Sequence, residues 1–479
     1  MGQYRQFIGG EWVDAAGGGT WDLVDPATEE VITTLPFGDR ADAQAAVDAA
    51  SAAFGAWSTA TAYERAAVLR RASDLVRERL DALGEVTSRE SGKPLAQGKG
   101  EWVAGADLLE WYGEEAKRNY GRIIPSRVPG KQMMVLHQPI GVVGCITAWN
   151  FPAYNVVRAV AAALAAGCTV VCRPSELTPM TAMDLATVLE DAGLPAGVFN
   201  VVNGDPEGMG QVLLERPEVR KVHFTGSVRV GKLLMDGASK TVTRLSLELG
   251  GNAPVIVLPD ADMETVAAGA VTAKYRNAGQ VCVSPQRFLV GAARAEEFVE
   301  RVVPKVEALR LGAGVDPDTD VGPMINQRQR DRLEGIVAAS ADQGATVAVG
   351  GGRPEDRDKG WFFSPTVVTD VTPELPVYHE ELFGPVMPIL AYDDLDEAIA
   401  LANDTDYGLA AYVFTNDLRS ALRAAERLEF GIVGVNEWAA HGTEGPFTGW
   451  KQSGIGSESG PEGFHEYVET KLVSIGGIL

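Results

Sequence analysis

Cysteine is scarce in this chain. Only Cys145, Cys168, Cys172 and Cys282 occur among 479 residues, too few for a disulfide framework in a protein of this length. Histidine is scarce as well, with five copies that form no cluster, and Cys168 and Cys172 lie in an apolar run with no second pair. That spacing suits no metal, and none is expected. Positive charge is also short: 42 Lys and Arg stand against 65 Asp and Glu, for a net charge of −23. A surface of that sign disfavours nucleic acid and anionic membrane as partners. Any anionic ligand would have to be held by local cations. The uncharged run Ala159–Cys172 is closed by Arg158 and Arg173 and is too short to cross a bilayer. The first residues, Met-Gly-Gln-Tyr-Arg-Gln, lack the apolar core of a signal peptide and the hydroxyl residue that myristoylation needs. A reducing, cytoplasmic setting is the expectation.

What is present is an ordinary globular composition, 46% hydrophobic and 22% charged, at a length that suggests two or three domains. Short strands and turns are expected over residues 6–36. Helices follow, with Val47, Ala50, Phe54 and Trp57 at helical spacing and then Val68, Ala72, Leu75, Val76 and Leu80. From about 134 the pattern alternates. Strands are expected over 140–147, 168–172, 197–202 and 219–224, with helices over 153–166 and 206–215. A further helix is expected to start at Thr178-Pro179, with the threonine capping and proline in the first turn. This rhythm predicts a parallel sheet covered on both faces. A second α/β stretch starts near Gly251 and runs to about 450, with strands at 287–290, 386–390 and 411–414. There is no repeat and no low-complexity linker. The glycine-rich Pro446–Gly456 reads as a loop with unusual backbone angles.

One cysteine stands where it can do chemistry. Cys282 follows the polar turn Ala278-Gly279-Gln280 and precedes a strand, a junction that can face a cleft. A thiol with an ordinary pKa of about 8.5 is only a few per cent ionised at neutral pH, so a nucleophilic cysteine needs help. Glu248, in an alternating strand that runs into Gly250-Gly251, is a candidate base. Read alone, a single cysteine such as Cys282 is more often a small buried apolar group.

Other stretches bear on nucleotides. Phe224-Thr-Gly226-Ser227 is a strand, a glycine turn and a helix start, where free N–H groups favour phosphate. The spacing from Gly226 to Gly231-Lys232 approaches a P-loop, but Leu233 replaces the hydroxyl that would ligate Mg²⁺, and G-x-G-x-x-G is absent. Glu176, just past a strand end, can accept from ribose hydroxyls and would repel a 2′-phosphate. The Asn150 amide, past another strand end, can donate to an oxyanion; Asn-x-Pro is also plain turn chemistry.

Taken together, Trp149-Asn-Phe-Pro, Arg173-Pro-Ser-Glu-Leu-Thr-Pro, Phe224-Thr-Gly-Ser, Leu247-Glu-Leu-Gly-Gly-Asn, Gly279-Gln-Val-Cys, Glu380-Glu-Leu-Phe-Gly-Pro-Val and Pro446-Phe-x-Gly-x-Lys-x-Ser-Gly resemble the aldehyde dehydrogenase superfamily, in its order and over nearly the whole chain. The resemblance implies an α/β fold with three parts. These are a Rossmann-like nucleotide-binding domain (1–117 and 140–251), an α/β catalytic domain (252–449) and a β-strand oligomerisation arm (118–139 and 450–479). It implies a homodimer or homotetramer that oxidises a small aldehyde with NAD, or with NADP. Cys282 would be the nucleophile, Asn150 the oxyanion donor and Glu248 the base that activates water against the thioester. Thr147, Trp149, Arg173, Ser175, Glu176, Gly226, Ser227, Leu249, Glu381 and Phe383 would meet the cofactor. Two departures stand out. Arg173 replaces the usual lysine and could offer NADP a cationic fork, and Thr448 replaces a glycine. The presence of Glu248 argues against a CoA-acylating relative, which lacks that carboxylate. A cysteine hydrolase would need a histidine tied to Cys282.

For the substrate, Arg158 and Arg276 match positions where succinate-semialdehyde dehydrogenases bind the substrate carboxylate, and Val435-Asn-Glu437 and Glu444-x-Pro-Phe447 are similar to that subfamily. Tyr154, His441 and Phe447 would complete the pocket. Trp438, Ala440, His441 and Ala159 depart from the subfamily pattern. Two readings stay open: a carboxylate-bearing semialdehyde, or an aromatic or aliphatic aldehyde with both arginines in structural ion pairs.

Overall fold

The alternating pattern resolves into two mainly parallel sheets joined at one short seam. A computed structural model describes residues 4–477. Among them, eight strands form the first sheet, in the order Glu11–Val13, Gln6–Ile8, Phe199–Val201, Thr169–Arg173, Val142–Ile146, Val219–Thr225, Arg244–Glu248 and Gly454–Ile455. The five strands from Phe199–Val201 to Arg244–Glu248 run parallel. Val142–Ile146, Thr169–Arg173 and Phe199–Val201 are buried at every position, as central strands covered on both faces are. The helix Pro152–Ala166 is buried at every position but Tyr154, and its alanines let it lie between the sheet and the long helix Leu95–Ala116.

Strand order decides where a ligand can sit. From Val142–Ile146 the chain winds outward through Thr169–Arg173 to Phe199–Val201, then crosses back to Val219–Thr225 and Arg244–Glu248. The loops after Val142–Ile146 and Val219–Thr225 therefore diverge to opposite faces and leave a crevice at the carboxyl ends of these strands. Trp149-Asn150 follows the first strand and Gly226-Ser227 the second.

Among the described residues, the second sheet holds Thr346–Val349, Thr366–Thr369, Val386–Tyr392, Pro285–Gly291, Ala253–Val257, Ala410–Phe414 and Ile432–Val435, parallel except at the Thr346–Val349 edge. Only Leu249–Asn252 separates Glu248, at the end of one sheet, from Ala253, at the start of the next. Lys131–Pro139 leaves this body to pair antiparallel with Val468–Gly476 on one side and Arg122–Ile124 on the other. The C-terminal stretch does more than serve this arm: Gly454–Ile455 joins the first sheet beside Glu248.

Two local expectations are corrected. The helix expected from Thr178 begins at Met180, and Thr178 does not cap it: its hydroxyl has no partner. The buried Glu90 does that work from another helix, accepting from Met180 N and Thr181 N, both at 2.9 Å, and from the Thr181 hydroxyl. In the glycine-rich loop, the left-handed angles fall at Lys451 (φ 51°) and Gly456 (φ 82°), and Gly449 and Gly454 lie outside that region. Thr448 also lies outside it and donates to Gly456 O at 2.9 Å, so a side chain is tolerated where the family has glycine.

Glu90→Ala should uncap the helix Met180–Asp191 and strand two buried N–H groups. A destabilisation of roughly 2 kcal/mol is expected, read as a lowered midpoint in urea or thermal unfolding with the helix content of the native state unchanged.

Candidate active site

Cys282 is delivered by an unusual turn. Asn277, Ala278 and Gly279 adopt φ of 51°, 52° and 71° in succession. Two of the three are not glycine, so the loop is costly by itself and must be held from outside. Gln97 Oε1 accepts from Asn277 N at 2.8 Å, Asn277 Nδ2 donates to Asn150 O at 2.8 Å, and Gln280 Oε1 accepts from Ile325 N at 2.9 Å. A side chain at Gly279 would run into the Gly384 carbonyl, so that position needs glycine for space as well as for angle.

The turn leaves Cys282 half-buried between two cavities, and it lines both. One, of about 240 Å³, is bounded by Trp149, Asn150, Gly226, Ser227, Glu248, Leu249, Glu381 and Phe383, with Thr225, Gln329 and Arg332. The other, of about 380 Å³, is bounded by Phe151, Tyr154, Arg158, Arg276, His441 and Phe447, with Glu101 and Thr443. A larger cavity of about 590 Å³, around Tyr4, Arg79, Arg89 and Asp184, holds none of the expected residues. Position relative to the sulfur, and not size, marks the site.

Burial favours the neutral form of the sulfur and of the carboxyl beside it. Burial pushes the Glu248 carboxyl up to about 8, with Arg158 opposing and Glu458 adding. Burial also pushes the Cys282 thiol up, and the neighbouring Glu248 reinforces this. Glu248 Oε1 is buried without a hydrogen-bond partner. A polar atom in that state is costly unless something else uses it. Asn150 is fixed on several sides. Its Nδ2 donates to Gln280 O at 3.2 Å, which leaves its second hydrogen free, and its Oδ1 accepts from Asn155 Nδ2 at 3.2 Å. Its carbonyl accepts from Lys93 Nζ at 2.7 Å. Lys93 is itself buried in an ion pair with Glu101, whose other oxygen accepts from Ala153 N at 3.2 Å and Tyr154 N at 3.4 Å.

In the larger of the two cavities beside Cys282, the arginines are not equivalent. Arg158 is buried between the rings of Tyr154 and Phe447, 5.0 and 4.4 Å from their centroids, with Nη2 2.5 Å from Glu458 Oε2. Its Nε has no partner. Arg276 is exposed, lies 5.3 Å from the centroid of Phe151, and has no ion pair among the described residues. The His441 ring contacts Phe447 edge-on, and burial, with the charges of Arg276 and Arg158, lowers its pKa to about 4. It is therefore a neutral hydrogen-bonding group. Trp438 turns away from this cavity onto Phe414, Tyr412 and Phe288.

On the other side, Ser227 caps the helix Val228–Ala238, its Oγ 3.4 Å from Val230 N, so the first N–H groups of that helix face outward beside Gly226. Glu381 Oε1 accepts from Gly251 N at 2.9 Å, and Phe383 stands edge-on to Trp149 at 5.4 Å. A Cβ on Gly250 would lie 2.6 Å from Glu381 Oε2, so this cradle depends on glycine. Thr147, Arg173, Ser175 and Glu176 lie along the ends of neighbouring strands, outside the lining of the cavity. Arg173 is committed: its Nη2 donates to Glu176 Oε2 at 2.6 Å and to Gly204 O at 3.1 Å. A helix N-terminus for phosphate, a strand-end carboxylate for ribose and a cavity walled by Phe383 and Trp149 suit a nicotinamide dinucleotide.

Sequence reasoning missed Lys93, Glu101, Thr225, Glu458, Gln329 and Arg332. Ser-Gly-Lys93-Pro and Glu458-Ser-Gly carry no chemical signal by themselves. Only their distant partners give them a role.

The sequence matches the aldehyde dehydrogenase family over residues 12–473. It is 44% identical to the 3-sulfolactaldehyde dehydrogenase of Pseudomonas putida, over 99% of this chain and 97% of that protein. It is 43% identical to the NADP-dependent succinate-semialdehyde dehydrogenase of Escherichia coli, over 99% of this chain and 98% of that one. The crystal structure of a succinate-semialdehyde dehydrogenase from Burkholderia pseudomallei superposes with a TM-score of 0.97 at 42% identity, covering 99% of this chain and 98% of that one. With a cysteine at the junction of two cavities and a likeness that runs from end to end, this chain belongs to the aldehyde dehydrogenase family.

Proposed function

We propose that this enzyme oxidises an aldehyde carrying a distant anionic group to the corresponding acid, with Cys282 as nucleophile and Glu248 as base. The observation that carries the reading is that Cys282 borders both cavities: the cofactor cradle on one side and, on the other, a pocket with the unpaired Arg276 at its rim. Sγ bonds to the carbonyl carbon, the C=O π electrons move to oxygen, and the thiol proton is released to solvent, which leaves Glu248 free to accept a proton in the later step. The free hydrogen of Asn150 Nδ2 and the Cys282 N–H face the oxyanion. A nicotinamide dinucleotide, when bound, supplies the hydride acceptor. The acyl group left on sulfur is a thioester. Glu248 then takes a proton from water as the water oxygen bonds to the acyl carbon and the thiolate leaves.

The names of the relatives point to the same property, since both succinate semialdehyde and 3-sulfolactaldehyde carry an anion away from the reacting carbon. Arg276 and the unpartnered Nε of Arg158 are the groups that would receive it, with His441 as a neutral neighbour. The rings of Phe151, Tyr154 and Phe447 favour the second reading, an uncharged aromatic aldehyde.

For the cofactor, NAD is the preferred substrate of this reading. Glu176 accepts from ribose hydroxyls, and the Arg173 ion pair offsets enough of its charge to leave NADP usable. The domain division is read as 1–117 and 140–251 for the nucleotide, 252–449 for catalysis, and 118–139 with 450–479 for the arm. Val468–Gly476 presents an unpaired edge with Leu472 exposed, which suits pairing with a second copy in a homodimer or homotetramer. Four free cysteines suit a reducing cytoplasm. No helix among the described residues is long and apolar enough to cross a membrane.

Cys282→Ala should abolish aldehyde-dependent NADH formation, whereas Glu248→Gln should give a burst of NADH and then stall as thioester. Because Glu248 must lose its proton to act as base, the hydrolysis rate should climb as pH rises through about 8 and fall on the acid side. In a kcat/KM panel, Arg276→Ala should cost succinic semialdehyde about 10–100-fold, the value of one charge-assisted contact, with butanal nearly unchanged; equal losses would favour the aromatic or aliphatic reading. Glu176→Gln should lower the NAD-to-NADP ratio of kcat/KM, and an unchanged ratio would remove Glu176 from cofactor choice.

A further inference from the structure

Lys93 and Glu101 form a buried ion pair that no step of the reaction uses. Lys93 is 1% exposed and Glu101 5%. Such a pair contributes little to stability, because the attraction within it is offset by the cost of taking both charges out of water. An apolar pair would fill the same space. The other contacts of the two side chains point to a use for the charges.

An ammonium only donates, and each of its N–H groups needs an acceptor once buried. Lys93 Nζ meets Glu101, the Asn150 carbonyl at 2.7 Å and the ring of Phe151, whose centroid is 4.4 Å away. Glu101 turns its second oxygen to the start of the helix Pro152–Ala166. Phe151, at the N-cap position, brings no capping side chain, and Pro152 has no N–H. Ala153 N and Tyr154 N therefore need an outside acceptor, and Glu101 Oε2 lies 3.2 and 3.4 Å from them. Two side chains thus tie residues 150–154 to the helix Leu95–Ala116 and the turn before it. Within that segment Asn150 presents its amide beside Cys282, and Phe151 and Tyr154 wall the larger of the two cavities at the sulfur.

Asn150 is where this tie meets the turn that delivers the nucleophile. Its carbonyl also accepts from Asn277 Nδ2 at 2.8 Å, and its own Nδ2 donates to Gln280 O at 3.2 Å. Asn277 opens the left-handed run before Cys282. On the other side, Lys93 starts from a fixed point. Gly92, at φ 77°, ends the helix Leu80–Ser91, and Leu95 N donates to Gly314 O at 2.8 Å. The backbone of Asn150 is therefore held between two anchors, and the direction of its free Nδ2 hydrogen depends on both.

We propose that Lys93 and Glu101 are positioning residues for the oxyanion: by holding the Asn150 carbonyl and the start of the helix Pro152–Ala166, the pair fixes the backbone from which the Asn150 amide reaches the reacting carbonyl. This deepens the function proposed above and rests on Asn150 being the oxyanion donor. Without the ammonium, the Asn150 carbonyl keeps only its bond from Asn277. A shift of about 1 Å in the donor is enough to cost roughly 100-fold in rate.

The test is a double-mutant cycle on the rate of NADH formation in the first turnover of the full-length enzyme, with succinic semialdehyde and with butanal. Asn150→Ala should slow that step about 100–1,000-fold, and Lys93→Met about 10–100-fold. Lys93→Met combined with Glu101→Gln, which leaves no buried charge unpaired, should match Lys93→Met. Both aldehydes should lose equally, and the Kd for NAD, read by quenching of tryptophan fluorescence, should stay within about twofold of the parent. In the Asn150→Ala background the same substitutions should change the rate by less than about twofold, because no amide is left to position. Losses that multiply in full in that background overturn the proposal, since a purely structural role or a direct action of the Lys93 charge would persist there. A parent-like rate in folded Lys93→Met, or a loss confined to succinic semialdehyde, overturns it too. Should Lys93→Met fail to fold, the same outcomes in the double variant decide; should both fail, the pair is structural and the proposal falls. If Asn150→Ala alone keeps the parent rate, it is the assignment of the oxyanion donor that fails, and the positioning role falls with it.

Discussion

The architecture depends on how closely two sheets can meet. Four residues, Leu249–Asn252, carry the chain from the last inner strand of the first sheet to the first strand of the second. A Cβ on Gly251 would lie 2.5 Å from Cys282 O, and one on Gly250 would lie 2.6 Å from Glu381 Oε2. The two glycines therefore bring the Glu248 strand, the Cys282 loop and the Glu381 carboxylate together with no side chain of their own between them. Glu381 closes the seam by accepting from Gly251 N. What looks from the sequence like a flexible Gly-Gly break is a close approach of the Gly251 backbone to the Cys282 carbonyl, with the Glu381 carboxylate packed against both glycines.

From that seam the electrostatics follow. Cys282 and Glu248 lie where the sheets meet, and burial favours the neutral forms of both. A neutral thiol is protected from stray electrophiles and metal ions, and it gains reactivity only where a proton acceptor lies beside it. The opposing charges have been drawn into pairs slightly farther out: Lys93 with Glu101, Arg158 with Glu458, Arg173 with Glu176. Each pair is anchored on backbone or aromatic groups that position a loop of the site. Lys93 holds the Asn150 carbonyl, and Arg158 is clasped by Tyr154 and Phe447. Within an acidic chain this leaves Arg276 as a cation at the pocket rim with no ion pair among the described residues.

Strand and helix periods carried most of the secondary structure, because apolar runs and alanine-rich helices are what a doubly covered parallel sheet requires. The expected helix 206–215 matches Pro206–Glu215, and the strands expected at 140–147 and 219–224 match within two residues. Where local reading went astray, a distant residue had taken over a local task. Thr178 looked like a cap, but Glu90 reaches the same N–H groups from another helix. The glycine loop was expected to put its strained angles on glycines, and one of them falls on Lys451.

The candidate site divides along the same line. By itself the chain identified Cys282, Glu248 and Asn150 as chemical candidates, since each stands at a strand boundary where a polar side chain has little structural reason to be, and their order with the flanking motifs named the family. The absence of clustered cysteine and histidine left no competing metal chemistry to weigh. It was the tertiary structure that decided which charges are free and which are spent. Arg158 and Glu458 are 300 residues apart, and His223 and Glu458 are 235 apart. No periodicity links such positions, because a buried ion pair is selected by the geometry of packed elements and leaves no local pattern in the chain.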